Sequence, residues 1–172
     1  MVKQRRGAIR AWAAALVMAL TPAMAPAAAK RQTPSGLDVP RYVTLKFAKV
    51  NARAGPGDDH RLLWVYRTRD LPLQVVAETA EWRQVCDPGG ALAWVHKRTV
   101  DLRRSALNKT AKPVALLRNP RPGAEVIAYL DANAMASLVK CRNGWCRVKA
   151  GGEAGWVRAG TLWGTQDTLQ CR

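Results

Sequence analysis

The chain predicts an all-β protein: two small β-barrels in tandem behind a signal peptide. Three observations carry the prediction. Gly89-Gly90-Ala-Leu-Ala-Trp94-Val95-His-Lys-Arg-Thr99-Val100 aligns without a gap on Gly151-Gly152-Glu-Ala-Gly-Trp156-Val157-Arg-Ala-Gly-Thr161-Leu162. Short segments rich in β-formers are punctuated by Gly, Pro, Asn and Asp at close intervals. Beyond residue 30 no apolar pattern holds a helical period.

Taken in order, the N-terminus has a basic start, Lys3, Arg5, Arg6 and Arg10, then an apolar run of ten residues from Ala11 to Leu20. Small residues follow, and Ala27-Ala28-Ala29 offers a cleavage site before Lys30. That order marks residues 1–29 as a secretory signal. Ten residues rise about 15 Å as a helix, roughly half a bilayer core, which disfavours a stable span. An uncleaved anchor is the alternative. The expected destination is the periplasm or the cell exterior. Removing the four charges of the signal from 28 Lys and Arg leaves 24 against 12 Asp and Glu, a net charge of +12. Such a field attracts anionic polymers.

Residues 30–40 read as an N-terminal linker and 41–104 as the first domain, with strands expected at 42–47, 62–66, 73–77, 82–86 and 92–96. Residues 105–112 read as a short joint, bracketed by Lys97-Arg98 and Arg103-Arg104 on its N-terminal side. The second domain, 113–164, has expected strands at 114–117, 126–130, 137–142, 145–149 and 155–157, and 165–172 is a tail. The copies keep their spacing: Arg53 precedes Trp82 by 29 residues and Arg118 precedes Trp145 by 27. Trp94 then follows Trp82 by 12, and Trp156 follows Trp145 by 11. About 50 to 65 residues suffice for one small β domain with a marginal core.

The order of these motifs resembles the bacterial SH3-like domain. The first copy carries Val50-Asn51-Ala52-Arg53-Ala54-Gly55-Pro56-Gly57, then Glu81-Trp82, then Ala93-Trp94-Val95. The second carries Leu117-Arg118, Gly144-Trp145 and Gly155-Trp156-Val157. The likeness spans about 41 to 164 and resembles exported two-domain SH3-like proteins of Gram-negative bacteria. It implies two small, strongly bent SH3-like barrels that act as binding or targeting modules, often on cell-wall peptides or glycans, without catalysis.

In Val139-Lys140-Cys141-Arg142-Asn143-Gly144-Trp145-Cys146-Arg147-Val148, Asn-Gly is a two-residue hairpin signal. Arg142 and Trp145 then flank the turn, and Cys141 lies opposite Cys146 in a non-hydrogen-bonded pair about 4.5 Å apart at Cα. A disulfide stapling the hairpin is therefore expected, against a metal or redox site. Alternation places Val139 and Val148 on the face of both sulfurs. Cys86 and Cys171 are left, either paired with each other, free, or linked to another chain.

No phosphate loop or dinucleotide motif occurs, and no cofactor or metal is expected. Core positions are expected for Trp94 and Trp156. Trp82 and Trp145 follow turns, which predicts partial exposure, and with Arg53 and Arg118 they form the candidate ligand groove, since aromatics beside arginine suit sugars or prolines. The expected partner is a cell-envelope ligand: a peptidoglycan peptide, an acidic glycan or an envelope protein. A basic nucleic-acid-binding barrel is the alternative, disfavoured by export. A Cys86–His96 enzyme is the second alternative.

N-terminal sequencing of the exported form should begin near Lys30. Recovery of an intact Met1 form in the cytosol alone overturns the export reading.

Overall fold

In the computed structural model, which describes residues 33–171, the sequence repeat becomes a structural one. The expected signal, 1–29, lies outside the described residues, as do residues 30–32 and Arg172. The first copy contains β1 (Arg41–Leu45), β2 (Val50–Arg53), β3 (Leu62–Tyr66), β4 (Pro72–Glu78), β5 (Trp82–Cys86), β6 (Leu92–His96) and β7 (Val100–Asp101). The second contains β8 (Ser105–Asn108), β9 (Val114–Leu117), β10 (Val126–Leu130), β11 (Met135–Arg142), β12 (Trp145–Ala150), β13 (Glu153–Arg158) and β14 (Leu162–Trp163). The sheet orders are β3-β2-β6-β5-β4-β1-β7 and β10-β9-β13-β12-β11-β8-β14, so each strand has its counterpart seven places on. Every pairing is antiparallel. The protein is two SH3-like β-barrels in tandem.

Both sheets bend at matching places. Register shifts fall between Val75 and Ala77 in β4 and between Leu138 and Lys140 in β11, and again between Val126 and Ala128 in β10 and beside Arg53 in the β2–β3 pair. An extra residue bends its strand and increases the local twist, which lets a short sheet wrap around a core. The first core gathers Val43, Leu45, Leu73, Val75, Val85 and Val95. The second gathers Leu116, Leu130, Cys146, Val148, Val157 and Leu162. One expectation fails at a bulge. Val139 is the extra residue, so Leu138 stands opposite Val148, and Val139 points outward, 56% exposed. The hairpin end keeps its expected register, with Cys141 opposite Cys146 and Arg142 opposite Trp145. Those cysteines form a disulfide with Cα atoms 4.0 Å apart.

The expected joint at 105–112 is not a linker. Ser105–Asn108 is β8, the counterpart of β1, and pairs with β11 and β14. The reason lies at Asn108. Leu45 pairs with Val100 in the first barrel, and Asn108 pairs with Leu162 in the second. Asn108 is fully buried, and its amide donates to the carbonyls of Lys112, Leu130 and Asp131 while its oxygen accepts from Thr110. A polar side chain thus fills a core place with every hydrogen-bonding group satisfied.

Three residues separate β7 from β8, so the barrels touch. Thr44 and Ser105 share a buried hydroxyl contact of 3.0 Å. A third small core, Tyr42, Cys86, Trp163 and Cys171, lies at the junction. Trp163 meets Tyr42 edge-on at 6.0 Å and donates its indole N–H to the Pro72 carbonyl. The chain after Gly164 then crosses the first barrel. Buried Gln74 donates to the Thr168 carbonyl and accepts from the Gln170 N–H, and Tyr42 donates to Gln166. The Cys86–Cys171 disulfide closes the strap, joining residues 85 apart.

The N-terminal segment is fastened by charge. The Glu78 carboxylate, with no exposed side-chain surface, pairs with Arg41 and, at 2.9 Å, with Arg83, and accepts the Ser35 N–H. Burial alone would raise its pKa, but hydrogen bonds from Ser35, Thr33 and Arg41 outweigh burial and hold it at about 2. Because the folded value lies below the ordinary 4.5, this stabilisation is complete above pH 4.5 and is lost as pH falls toward 2.

Chain-entropy arguments make the long clasp worth about 4–5 kcal/mol and the hairpin staple about 2 kcal/mol. Calorimetry should therefore show a larger loss for Cys86→Ala/Cys171→Ala than for Cys141→Ala/Cys146→Ala; the reverse order would mean that the tail does not secure the junction. Glu78→Gln leaves Arg41 and Arg83 without their anion and should cost about 3 kcal/mol at pH 7. The difference from the parent should shrink on acidification from pH 4.5 toward 2, read by denaturant titration at each pH.

Candidate functional site

On the first barrel an open groove of about 290 Å³ is lined by Lys49, Asn51, Arg53, Asp58, Trp82, His96 and Arg98. Strand parity builds it. Val50 and Ala52 of β2 turn into the core, so Asn51 and Arg53 face outward. Ala93 and Val95 of β6 likewise turn inward, leaving Trp94 and His96 outside. Trp82 begins β5 directly after a turn held by Thr79, whose N–H donates to the Trp82 carbonyl and whose hydroxyl accepts the Trp82 N–H. The indole meets the His96 ring at 5.2 Å and forms the groove floor.

The four candidate residues do not assemble into one groove. Arg53 and Trp82 share the first-barrel groove. Trp145 and Arg118 lie on the second barrel. Neither tryptophan is exposed as its turn position predicted: Trp82 keeps 9% of its surface and Trp145 7%. Both rings are on the outer face of the sheet, where a residue of the neighbouring strand packs against each. His96 meets Trp82 edge-on, and the Arg158 guanidinium lies over Trp145 at 4.0 Å.

Both arginines are already engaged. Arg53 donates to the His60 carbonyl at 2.9 Å and pairs with Asp58 at 3.2 Å, bracing its own loop. That loop is tight, since a Cβ at Gly55 would lie 2.5 Å from the His60 ring. Arg118 braces the matching loop through a two-pronged contact with Glu125, at 2.6 and 2.9 Å. The hydrogen bonds of that contact raise the Arg118 pKa and lower that of Glu125.

The core positions expected for Trp94 and Trp156 are also corrected. Neither ring joins an inner core; Val95 and Val157, their neighbours in sequence, do. Trp94 is half-buried on the outer face, opposite Arg53. Trp156 is 6% exposed, yet its cover is basic: Arg142 stands 4.8 Å and Lys140 5.9 Å from its ring centre. Sequence reasoning missed Lys49, Asn51, His96 and Arg98 of the groove, and the cations over the second-barrel tryptophans. The available signal was parity, because an inward valine after each Trp sends that Trp outward. Cys86 is bonded to Cys171, and no Cys remains free among the described residues.

The family model described as bacterial SH3 domain matches the chain twice, at residues 46–101 and 110–164. No curated protein matches. Among solved structures, NlpC2 from Trichomonas vaginalis is similar at 15% identity and a TM-score of 0.34, covering 73% of this chain and 48% of that one. NlpC1 from the same organism is similar at 15% identity and a TM-score of 0.34, covering 80% of this chain and 47% of that one. The chain thus spans about half the length of the solved structures it resembles.

Proposed function

The chain belongs to the bacterial SH3 domain family, and from that premise we propose that it is an exported, non-catalytic binding protein that recognises a cell-envelope ligand, with peptidoglycan peptides as the first-barrel ligand. Bacterial SH3 domains generally bind cell-envelope polymers. The observation that carries the reading is the groove itself: an indole floor under a rim of Lys49, Arg53 and Arg98, with Asn51 as a hydrogen-bonding side chain. A peptide carboxylate meets cations there, and its polar backbone meets the Asn51 amide. Arg53 is held by Asp58 and His60, so its role is to fix the groove wall, while Lys49 and Arg98 are the exposed cations. Single-stranded nucleic acid is a poorer fit, because it needs open aromatic faces for stacking and Trp82 and Trp145 are both covered.

Sedimentation with purified sacculi tests the reading. Binding should be clear at about 50 mM salt and fall toward 500 mM, because exposed charges are screened within about 8 Å at physiological ionic strength. Lys49→Gln/Arg98→Gln should weaken binding about tenfold, roughly the loss of one charge-assisted contact. No sedimentation at the lowest salt removes the cell-wall ligand. Unchanged binding by the double variant moves the site elsewhere.

A further inference from the structure

The second barrel carries a different surface on its β11–β12–β13 face. Register places Lys140, Arg147 and Trp156 in one row across the three strands, and Arg142, Trp145 and Arg158 in the next. Lys149 follows one step along β12 on the same face. Rows on one face are about 7 Å apart and strands about 5 Å apart. All five cations are exposed. Among the described residues none of them forms an ion pair; the only acid–base pair in this barrel is Arg118 with Glu125.

The two indoles set the geometry of this face. Arg158 covers Trp145 at 4.0 Å and Arg142 covers Trp156 at 4.8 Å. A guanidinium held on an aromatic face is pre-ordered, and its planar donors still point outward at the edge, a fork that fits a carboxylate in two-pronged fashion. The charge is therefore held in place, and holding it costs the ligand little ordering entropy.

We propose that this face docks a carboxylate-bearing polysaccharide. The proposal rests on the envelope-binding reading and adds a second ligand class at a second surface. Charge complementarity chooses the occupant, and the character of the face narrows it. A single-stranded nucleic acid would need open rings, and both are covered. A lipid surface would take several apolar side chains as well as charge, and among the large apolar side chains of these three strands only Val139 is exposed. A protein hot spot buries open aromatic anchors in a pocket of the partner, and both indoles here are already covered by cations. An extended polymer with repeated carboxylates needs only ordered cations on an open face.

The test titrates the purified protein with polygalacturonate, using its methyl-esterified form as the neutral control. Binding should occur at about 50 mM salt, fall steeply toward 500 mM, and be absent with the ester. Arg142→Gln/Arg158→Gln should weaken it about tenfold, the loss of one charge-assisted contact or more. Arg147→Gln/Lys149→Gln, which leaves both stacked pairs in place, should weaken it about threefold, so a folding defect in the first variant does not decide the matter. Lys49→Gln/Arg98→Gln on the first barrel should leave polygalacturonate binding within about twofold, since those cations are not part of this face. If the unsubstituted protein fails to sediment with sacculi but still binds polygalacturonate, the groove reading is removed and this one stands. The proposal is overturned if the unsubstituted protein ignores polygalacturonate at low salt, binds the ester equally, or prefers an oligonucleotide or anionic vesicles. Parent-like binding by both second-barrel variants overturns it too.

Discussion

Three residues between β7 and β8 constrain everything that follows them. With no linker, the second barrel starts against the first, and the surfaces they turn to each other must be compatible. The junction meets this with a small core of its own, Tyr42, Trp163 and the Cys86–Cys171 bond. It also uses a reciprocal polar lock, in which buried Gln74 gives and receives one backbone hydrogen bond with the C-terminal strap. Small barrels have marginal cores. Joining two through a shared core spreads the stabilisation, and the strap makes the tail of the second copy part of the first.

The rigid junction has a consequence for binding. Two sites on a flexible tether sample many separations, and their combined affinity depends on tether length. Here the first-barrel groove and the second-barrel basic face are held at one separation. On the proposed assignment of ligands, a polymer that presents peptide and carboxylate groups at that separation gains from both contacts; one that does not engages a single site. The chemistry of the sites differs accordingly. The groove is a concavity with an indole floor, whereas the β11–β12–β13 face is open sheet surface and presents stacked guanidinium groups.

Much of the fold was legible because its signals are local. The repeated Trp-Val motif marked the two copies, alternation located ten strands, and Asn143-Gly144 fixed the Cys141–Cys146 register. The four missed strands were hidden in three ways. β7 and β14 are two residues long, β2 lies within a loop motif, and β8 reads Ser-Ala-Leu-Asn, which has no apolar alternation. Asn108 concealed the equivalence of β8 and β1, since a buried asparagine in place of a leucine is explained only by carbonyls brought to it from β10 and the loops beside it. Bulges were equally hidden: nothing in Val139 itself says that it is skipped.

The site was less legible than the fold, for a related reason. Counting positions from a turn assigns a side chain to a face, but exposure depends on what the next strand lays across it. Trp145 is covered because Arg158 pairs with it from β13, and Trp156 because Arg142 reaches over it from two strands away. The same two contacts that hide the aromatic surface order the cations above it. Removing the rings would free those cations without changing their number, so a variant with Trp145 and Trp156 replaced by leucine would keep the charge of the face and lose its order. Net charge sets the range at which an anionic polymer is attracted. The stacked arrangement sets how much freedom must be given up when it arrives. On the proposed docking, the tryptophans of this barrel act through the arginines they hold, and the sequence pattern that places them outward is the origin of both effects.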